Sequence, residues 1–382
     1  MGQASTWAVG VVALIFLQCV SSYKLVCYFT SWSQYRQDQG SFVPDAIDPN
    51  LCTHLIYAFA NVEDDKIVAT EWNDATTYEH LNNLKNRNHN LKTLLSLGGE
   101  NFASERFRSI AGSPLRRSKF VMSVVSFLQN NTFDGFDLAW HTLNQIDKRN
   151  MAKLVQDLSV QFRHEASAKK KLILSVSVPA GRERIDRGYD IPALSQYADF
   201  LNFMTFDFHG SWEKHTGHPS PLYKGKSDTG AASFYNVNSA VKLLKSKGAP
   251  AEKIIMGIPT YGRTFTLSSS QTFVGATASG GGTPGHFTNS TGMLAYYEIC
   301  DFNSRAHVER IEEQAVPYSY KGNQWVGYED VTSVKKKVQY MKDLHLGGIM
   351  IWTLDLDDFS GSLCDQRKYP LVGAVKEELD KK

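Results

Sequence analysis

Eight short, mostly apolar runs punctuate the chain, at residues 23–32, 54–62, 92–99, 133–140, 171–180, 200–208, 254–261 and 347–357. Each has the length of a buried strand rather than of a helix. Between them apolar residues recur three or four positions apart, as in Tyr78-Leu81-Leu84, Phe120-Val124-Phe127-Leu128 and Val334-Val338-Met341-Leu344. That spacing puts them on one side of a helix. Strands alternating with helices predict a parallel sheet. Eight repeats are the count that closes a (β/α)8 TIM barrel of the α/β class, with its site at the C-terminal ends of the strands.

The alternation stops after Arg263, where a Gly-rich segment, Ser279-Gly280-Gly281-Gly282-Thr283-Pro284-Gly285, follows. Short strand-like pieces at 265–267, 315–318 and 323–327 precede the next barrel-type helix, so residues 264–328 predict a small α+β domain inserted between the seventh strand and its helix. At the other end, residues 1–22 read as a secretory signal: Trp7 to Val20 is mostly apolar, and Cys19-Val20-Ser21-Ser22 supplies small residues for cleavage. The run is shorter than the ~20 apolar residues of a membrane anchor, and no other stretch approaches that length. The expected mature chain, residues 23–382, is therefore secreted and not membrane-bound. It retains Cys27, Cys52, Cys300 and Cys364. An even count in an oxidising compartment favours two disulfides, with three pairings open.

A hydrophobic content of 42% and a net charge of +2 fit a globular protein with a large core, and give no reason to expect nucleic acid. Two lysine runs, Lys169-Lys170-Lys171 and Lys335-Lys336-Lys337, offer sites for a heparin-like polyanion, against the blander reading of solvated helix ends. Asn130-Asn131-Thr132 and Asn289-Ser290-Thr291 are acceptor sequences for N-linked glycans at Asn130 and Asn289.

The chemically telling segment is Asp134-Gly135-Phe136-Asp137-Leu138-Ala139-Trp140-His141 on the fourth run. Alternate side chains of a strand share a face, so positions 137, 139 and 141 point the same way. Carboxylates at all three would form a coupled acid/base set suited to glycoside chemistry, but only Asp137 has one.

This segment resembles the D-x-x-D-x-D-x-E motif of glycoside hydrolase family 18, with Ala139 at the third Asp and His141 at the Glu. In that family the Glu protonates the glycosidic oxygen and the preceding Asp orients the substrate's N-acetyl group, which acts as nucleophile. The resemblance thus implies a barrel with no catalytic residues left. An imidazole can carry a proton near pH ~6.5. Its reach differs from that of Glu, however, and a positioned general acid supplies about 10²–10⁴-fold in rate.

The likeness covers essentially the whole chain after the leader. Ser96-Leu97-Gly98-Gly99, Met204-Thr205-Phe206-Asp207-Phe208-His209-Gly210, Gly257-Ile258-Pro259-Thr260-Tyr261-Gly262-Arg263 and Trp352 match family motifs at strand ends. Within the family the chain is similar to the chitinase-3-like group of secreted lectins. The resemblance implies disulfides Cys27–Cys52 and Cys300–Cys364, a monomer, and no metal or cofactor. It also implies a carbohydrate-binding cleft of Tyr28, Trp32, Phe59, Glu71, Trp72, Gly98, Gly99, Glu100, Asn101, Thr142, Met204, Thr205, Phe206, Asp207, Trp212, Tyr261, Arg263 and Trp352. Aromatics at strand ends also serve as plain core, Phe59 more readily than Trp352.

Two departures bear on affinity: Glu100 replaces a family Trp and Phe206 replaces a Tyr; Ser290 stands where the family has a cleft-lining Glu, so a glycan on the neighbouring Asn289 would crowd the groove. The function implied is a non-hydrolytic lectin for chitooligosaccharides or related glycans, with a signalling or tissue-remodelling role. The alternatives are a protein-binding factor on the same scaffold and a residual glycosidase.

Overall fold

In the computed structural model eight parallel strands close on themselves: β1 (Lys24–Thr30), β2 (His54–Glu63), β3 (Lys92–Gly98), β4 (Gly135–Ala139), β5 (Ile173–Pro179), β6 (Phe200–Met204), β7 (Ile254–Pro259) and β8 (Gly348–Trp352). The structure describes residues 23–100, 102, 104–141, 143–166 and 171–381. The signal-like residues 1–22, the expected site residues Asn101 and Thr142, and Lys169 and Lys170 lie outside them. Strand β1 pairs with both β2 (Val26 opposite His54) and β8 (Lys24 opposite Gly348), which leaves the barrel no open edge.

Both faces of each strand are covered, and this is why the strands read as continuous apolar runs. Val26, Ile56, Leu94, Ile255 and Met350 fill the interior, while Leu25, Cys27, Phe29 and Leu95 pack outward against the surrounding helices. Two of the long helices carry side-chain N-caps with capping boxes. Asn144 accepts from the backbone of Asp147 ahead of helix Gln145–Glu165, and Asp330 accepts from Ser333 ahead of helix Val331–Asp343.

Three apolar runs extend past their strands. The run 200–208 leaves β6 at Met204, and 347–357 leaves β8 at Trp352 to enter the short turn Leu354–Leu356. The run 254–261 ends β7 at Pro259 and passes into the second sheet. In each case the extra residues fold over the barrel mouth, buried but no longer in the parallel ladder.

Tyr261–Leu267 begins an antiparallel sheet and pairs with Ala278–Gly281, Met293–Ala295 and Gln324–Gly327. Val316–Lys321 and His307–Ile311 complete it. With helix Tyr296–Asn303 it forms a small insert between β7 and helix Val331–Asp343, with a core of Phe265, Leu267, Ala276 and Trp325.

Cysteines pair as Cys27–Cys52, tying β1 to the approach of β2, and Cys300–Cys364, tying the insert's helix to the segment after β8. The Lys335–Lys337 run does not present three cations to solvent. Lys337 is completely buried, where its ammonium donates to the carbonyl and hydroxyl oxygens of Ser220 (2.6 and 2.7 Å) and pairs with the equally buried Glu329. Burial disfavours both charges, raising the Glu329 carboxyl and lowering the Lys337 ammonium, and the mutual ion pair opposes both shifts. A polyanion site on this run is therefore excluded at Lys337. Its apolar stem and helical position put it on the core face.

Two predictions follow from this packing. Lys337→Ala strands the Glu329 charge and is expected to cost about 3–5 kcal/mol in urea unfolding. Peptide mapping without reductant is expected to return the two disulfides and no free thiol among Cys27, Cys52, Cys300 and Cys364. Removal of either pair should cost about 2–4 kcal/mol.

Candidate functional site

The C-terminal ends of β3 and β4 touch. Gly98 has φ +132°, and a Cβ there would stand 2.1 Å from the Ala139 carbonyl oxygen, which accepts from the Gly99 N–H at 2.9 Å. Only glycine permits this approach.

Below it lies Asp137, fully buried inside the barrel. Its carboxylate accepts from the hydroxyls of Tyr28 (2.8 Å), Ser96 (2.7 Å) and Ser175 (2.6 Å) and from the Asn202 amide (3.1 Å). Burial raises the Asp137 carboxyl above its ordinary value and the four donors pull against it. Asp134 sits at the opposite end of the strand, accepts from the Thr93 N–H and pairs with Lys85, a structural role.

Toward the mouth comes the Ala139 methyl, then His141. The His141 Nε2 lies 3.1 Å from the Ser177 hydroxyl, while its buried Nδ1 has no hydrogen-bond partner among the described residues. Burial, reinforced by the Arg184 charge, lowers the imidazole to about 4. It is therefore a neutral imidazole through the ordinary physiological range, and its one remaining N–H is too weak an acid to protonate a leaving group.

An aromatic ladder runs across the mouth. Trp352, at the end of β8, rests 5.0 Å from the Tyr28 ring and 6.1 Å from Phe59, and Phe59 stacks on Trp32 at 5.9 Å. Trp32 is 41% exposed, so the ladder grades from interior to solvent. The opposite wall comes from the insert. Arg263 forms a two-pronged ion pair with Asp207 (2.7 Å on each prong), Tyr261 donates to Asp207 at 2.8 Å, and the guanidinium covers the Trp212 ring at 5.3 Å. Phe206 meets Tyr261 edge-on.

The cleft between these walls has a volume of about 590 Å³, within the range of ligand sites. Of the expected residues it brings together Trp32, Phe59, Glu71, Gly98, Gly99, Glu100, Met204, Phe206, Asp207, Tyr261, Arg263 and Trp352, with His141 at its base. Others stand elsewhere. Tyr28 lies beneath Trp352 with its hydroxyl spent on Asp137. Thr205 is fully buried and donates to the Gly257 carbonyl, so its hydroxyl does not face the cleft. Trp72 and Trp212, 86% and 59% exposed, stand outside the lining.

Phe102, Asn61 and Met293 also line the cleft. No motif marks them: Phe102 arrives from a loop and Met293 from the insert, while Asn61 lies near the end of β2 without a motif of its own. Asn289, exposed, lies four residues before Met293. A second cavity of about 640 Å³ lies under the insert, away from the barrel mouth, and its Glu298 carboxylate is occupied by the N–H groups of Phe287, Thr288 and Ala295. Among the described residues no three His, Cys, Asp or Glu side chains converge to hold a metal ion.

Comparison with known proteins agrees with this geometry. The model of the Glycosyl hydrolases family 18 matches residues 24–357. Human chitinase-3-like protein 2 is 50% identical over 383 residues, 99% of this chain and 98% of that protein. Mouse chitotriosidase-1 is 47% identical over 388 residues, covering 100% of this chain and 83% of that protein. The solved structure of human YKL-39, a pseudo-chitinase with retained chitooligosaccharide binding properties, superposes with a TM-score of 0.92 at 49% identity, over 94% of this chain and all of that one. A closed eight-stranded barrel with an inserted sheet, matched from β1 to just beyond β8, places the chain in glycosyl hydrolase family 18.

Proposed function

We propose that this protein is a secreted, non-hydrolytic lectin that holds chitooligosaccharides or related glycans in the cleft at the mouth of the barrel. The observation that carries the reading is an aromatic floor, Trp352 with Phe59 and Trp32, kept over a strand end that has no acid. Flat rings suit the apolar faces of pyranose sugars, while Asp207, Arg263 and Glu100 offer polar contacts at the walls. The likeness to YKL-39 supports retained glycan binding without turnover.

Hydrolysis fails for two physical reasons. The Ala139 methyl neither accepts a hydrogen bond from an acetamide nor stabilises a developing cation. His141, lowered to about 4, is neutral where a general acid must be protonated. Secretion rests on the apolar leader at residues 1–22 and on two disulfides, which persist in oxidising compartments.

The purified mature protein is expected to release no fluorophore from aryl glycosides of chitobiose or chitotriose between about pH 4 and 8. Turnover that disappears on mutation of His141 would refute the assignment. In calorimetry with chitohexaose, Trp352→Ala is expected to abolish binding. Glu100→Trp, by supplying a stacking face, should tighten it by about 1–3 kcal/mol, or about 5- to 150-fold. If neither substitution altered the affinity, the cleft would not be the glycan site and a protein ligand would take its place.

A further inference from the structure

The charges around the cleft are unequal. Three carboxylates line it, Glu71, Glu100 and Asp207, against one cation, Arg263. Arg263 is held by Asp207 through both prongs of its guanidinium, and the same carboxylate takes the Tyr261 hydroxyl. Glu71 is half-buried and accepts from the Tyr35 hydroxyl. Glu100 is exposed at the wall, and its charge reaches Arg263 and Tyr261, but it makes no ion pair among the described residues. His141 contributes no positive charge, since burial lowers it to about 4. The groove is thus lined by flat apolar rings and carries two carboxylates in excess of its cations.

Its deep end offers little to a neutral N-acetyl group. Phe206 presents a bare ring, buried Ala139 has only a methyl, His141 at the base has one ring nitrogen on Ser177 and the other buried, and the Asp137 carboxylate is fully used by four donors inside the barrel. A ligand with sugar-ring faces and a positive charge complements these walls better than a neutral one. The preference must also be local. The whole chain carries +2, so no long-range field draws a cationic oligomer to it, and screening confines the Glu100 charge to about 8–10 Å at ordinary salt.

We infer that the cleft selects amino sugars with a free, protonated 2-amino group, the chemistry of deacetylated chitooligosaccharides, over their N-acetylated counterparts, and that Glu100 sets this preference. The inference rests on the reading of the cleft as a glycan groove and names the ligand class that groove takes. The 2-ammonium donates to the Glu100 carboxylate while the ring stacks on the aromatic floor, so charge and stacking act on the same residue of the oligomer.

The test is calorimetry of the mature protein with glucosamine hexamer and N-acetylglucosamine hexamer, in the wild type, Glu100→Gln and Trp352→Ala, at about pH 5.5 and about pH 8.5, which bracket the titration of an amine near neutrality. The wild type at the lower pH is expected to bind the glucosamine hexamer at least about fivefold more tightly, the scale of one partly screened ion pair. That ratio should fall toward one in Glu100→Gln, and also in the wild type at the higher pH as the ligand amine loses its proton. Equal affinities in the wild type, or a ratio unchanged in Glu100→Gln, would overturn the inference and leave the glycan groove standing. Binding of both hexamers undiminished in Trp352→Ala would remove the groove itself, and the inference with it.

Discussion

The Asp137 carboxylate holds the interior of the barrel together by accepting hydrogen bonds from groups on four other strands, Tyr28 of β1, Ser96 of β3, Ser175 of β5 and Asn202 of β6. Hydrogen bonds to an ionised group are each worth about 1.5–3 kcal/mol net. Leaving four buried donors unpaired would cost more than the barrel could easily absorb, because polar groups inside a low-dielectric core have no water to turn to. The network fixes which residues of five strands face inward, and so fixes the height at which β3 and β4 reach the mouth. Gly98 and Gly99 then approach Ala139 at the strand ends, and Trp352 is set over Tyr28.

This separates what the site keeps from what it has lost. The Asp137 carboxylate serves the architecture and is retained. Beyond it toward the mouth come Ala139, buried with a single methyl for a side chain, and His141 at the base of the cleft. In the proposed reading, the groove keeps a stacking surface and has no proton donor. Catalysis needs a group that exchanges a proton at working pH, and the buried imidazole of His141 does not supply one. Stacking needs only flat rings held in place, which the ladder from Tyr28 to Trp32 provides.

The insert gives the cleft its second wall and much of its electrostatic character. Tyr261 and Arg263 belong to the first strand of the inserted sheet, which follows β7 after a single residue, so they swing directly over the strand ends. The ion pair of Arg263 with Asp207 joins insert to barrel along one wall of the groove, and the disulfide Cys300–Cys364 ties the helix of the insert to the segment after β8. Glu100 faces this wall from the end of β3.

The eight strands were legible in the sequence because a parallel strand covered on both faces must be apolar throughout; strand period aligned positions 137, 139 and 141, and the resemblance to the family motif supplied the meaning of Ala139 and His141. The residue types of the aromatic floor could likewise be read from their motifs. Tertiary structure decided the rest. Apolar residues that fold over the mouth look like strand continuations, so runs such as 200–208 were read as longer than their strands. Thr205 and Tyr28 share motifs with cleft residues, yet their hydroxyls are turned inward to Gly257 and Asp137, and no local pattern reports which way a hydroxyl turns. Lys337 reads as part of a charged surface run, although its partner Glu329 lies just ahead of the helix and Ser220 comes from a distant loop. Phe102 and Met293 reach the cleft from a loop and from the insert. Sequence records the local periodicity that burial imposes on a strand or helix, whereas the pairing of buried polar groups and the convergence of loops depend on contacts between segments far apart in the chain.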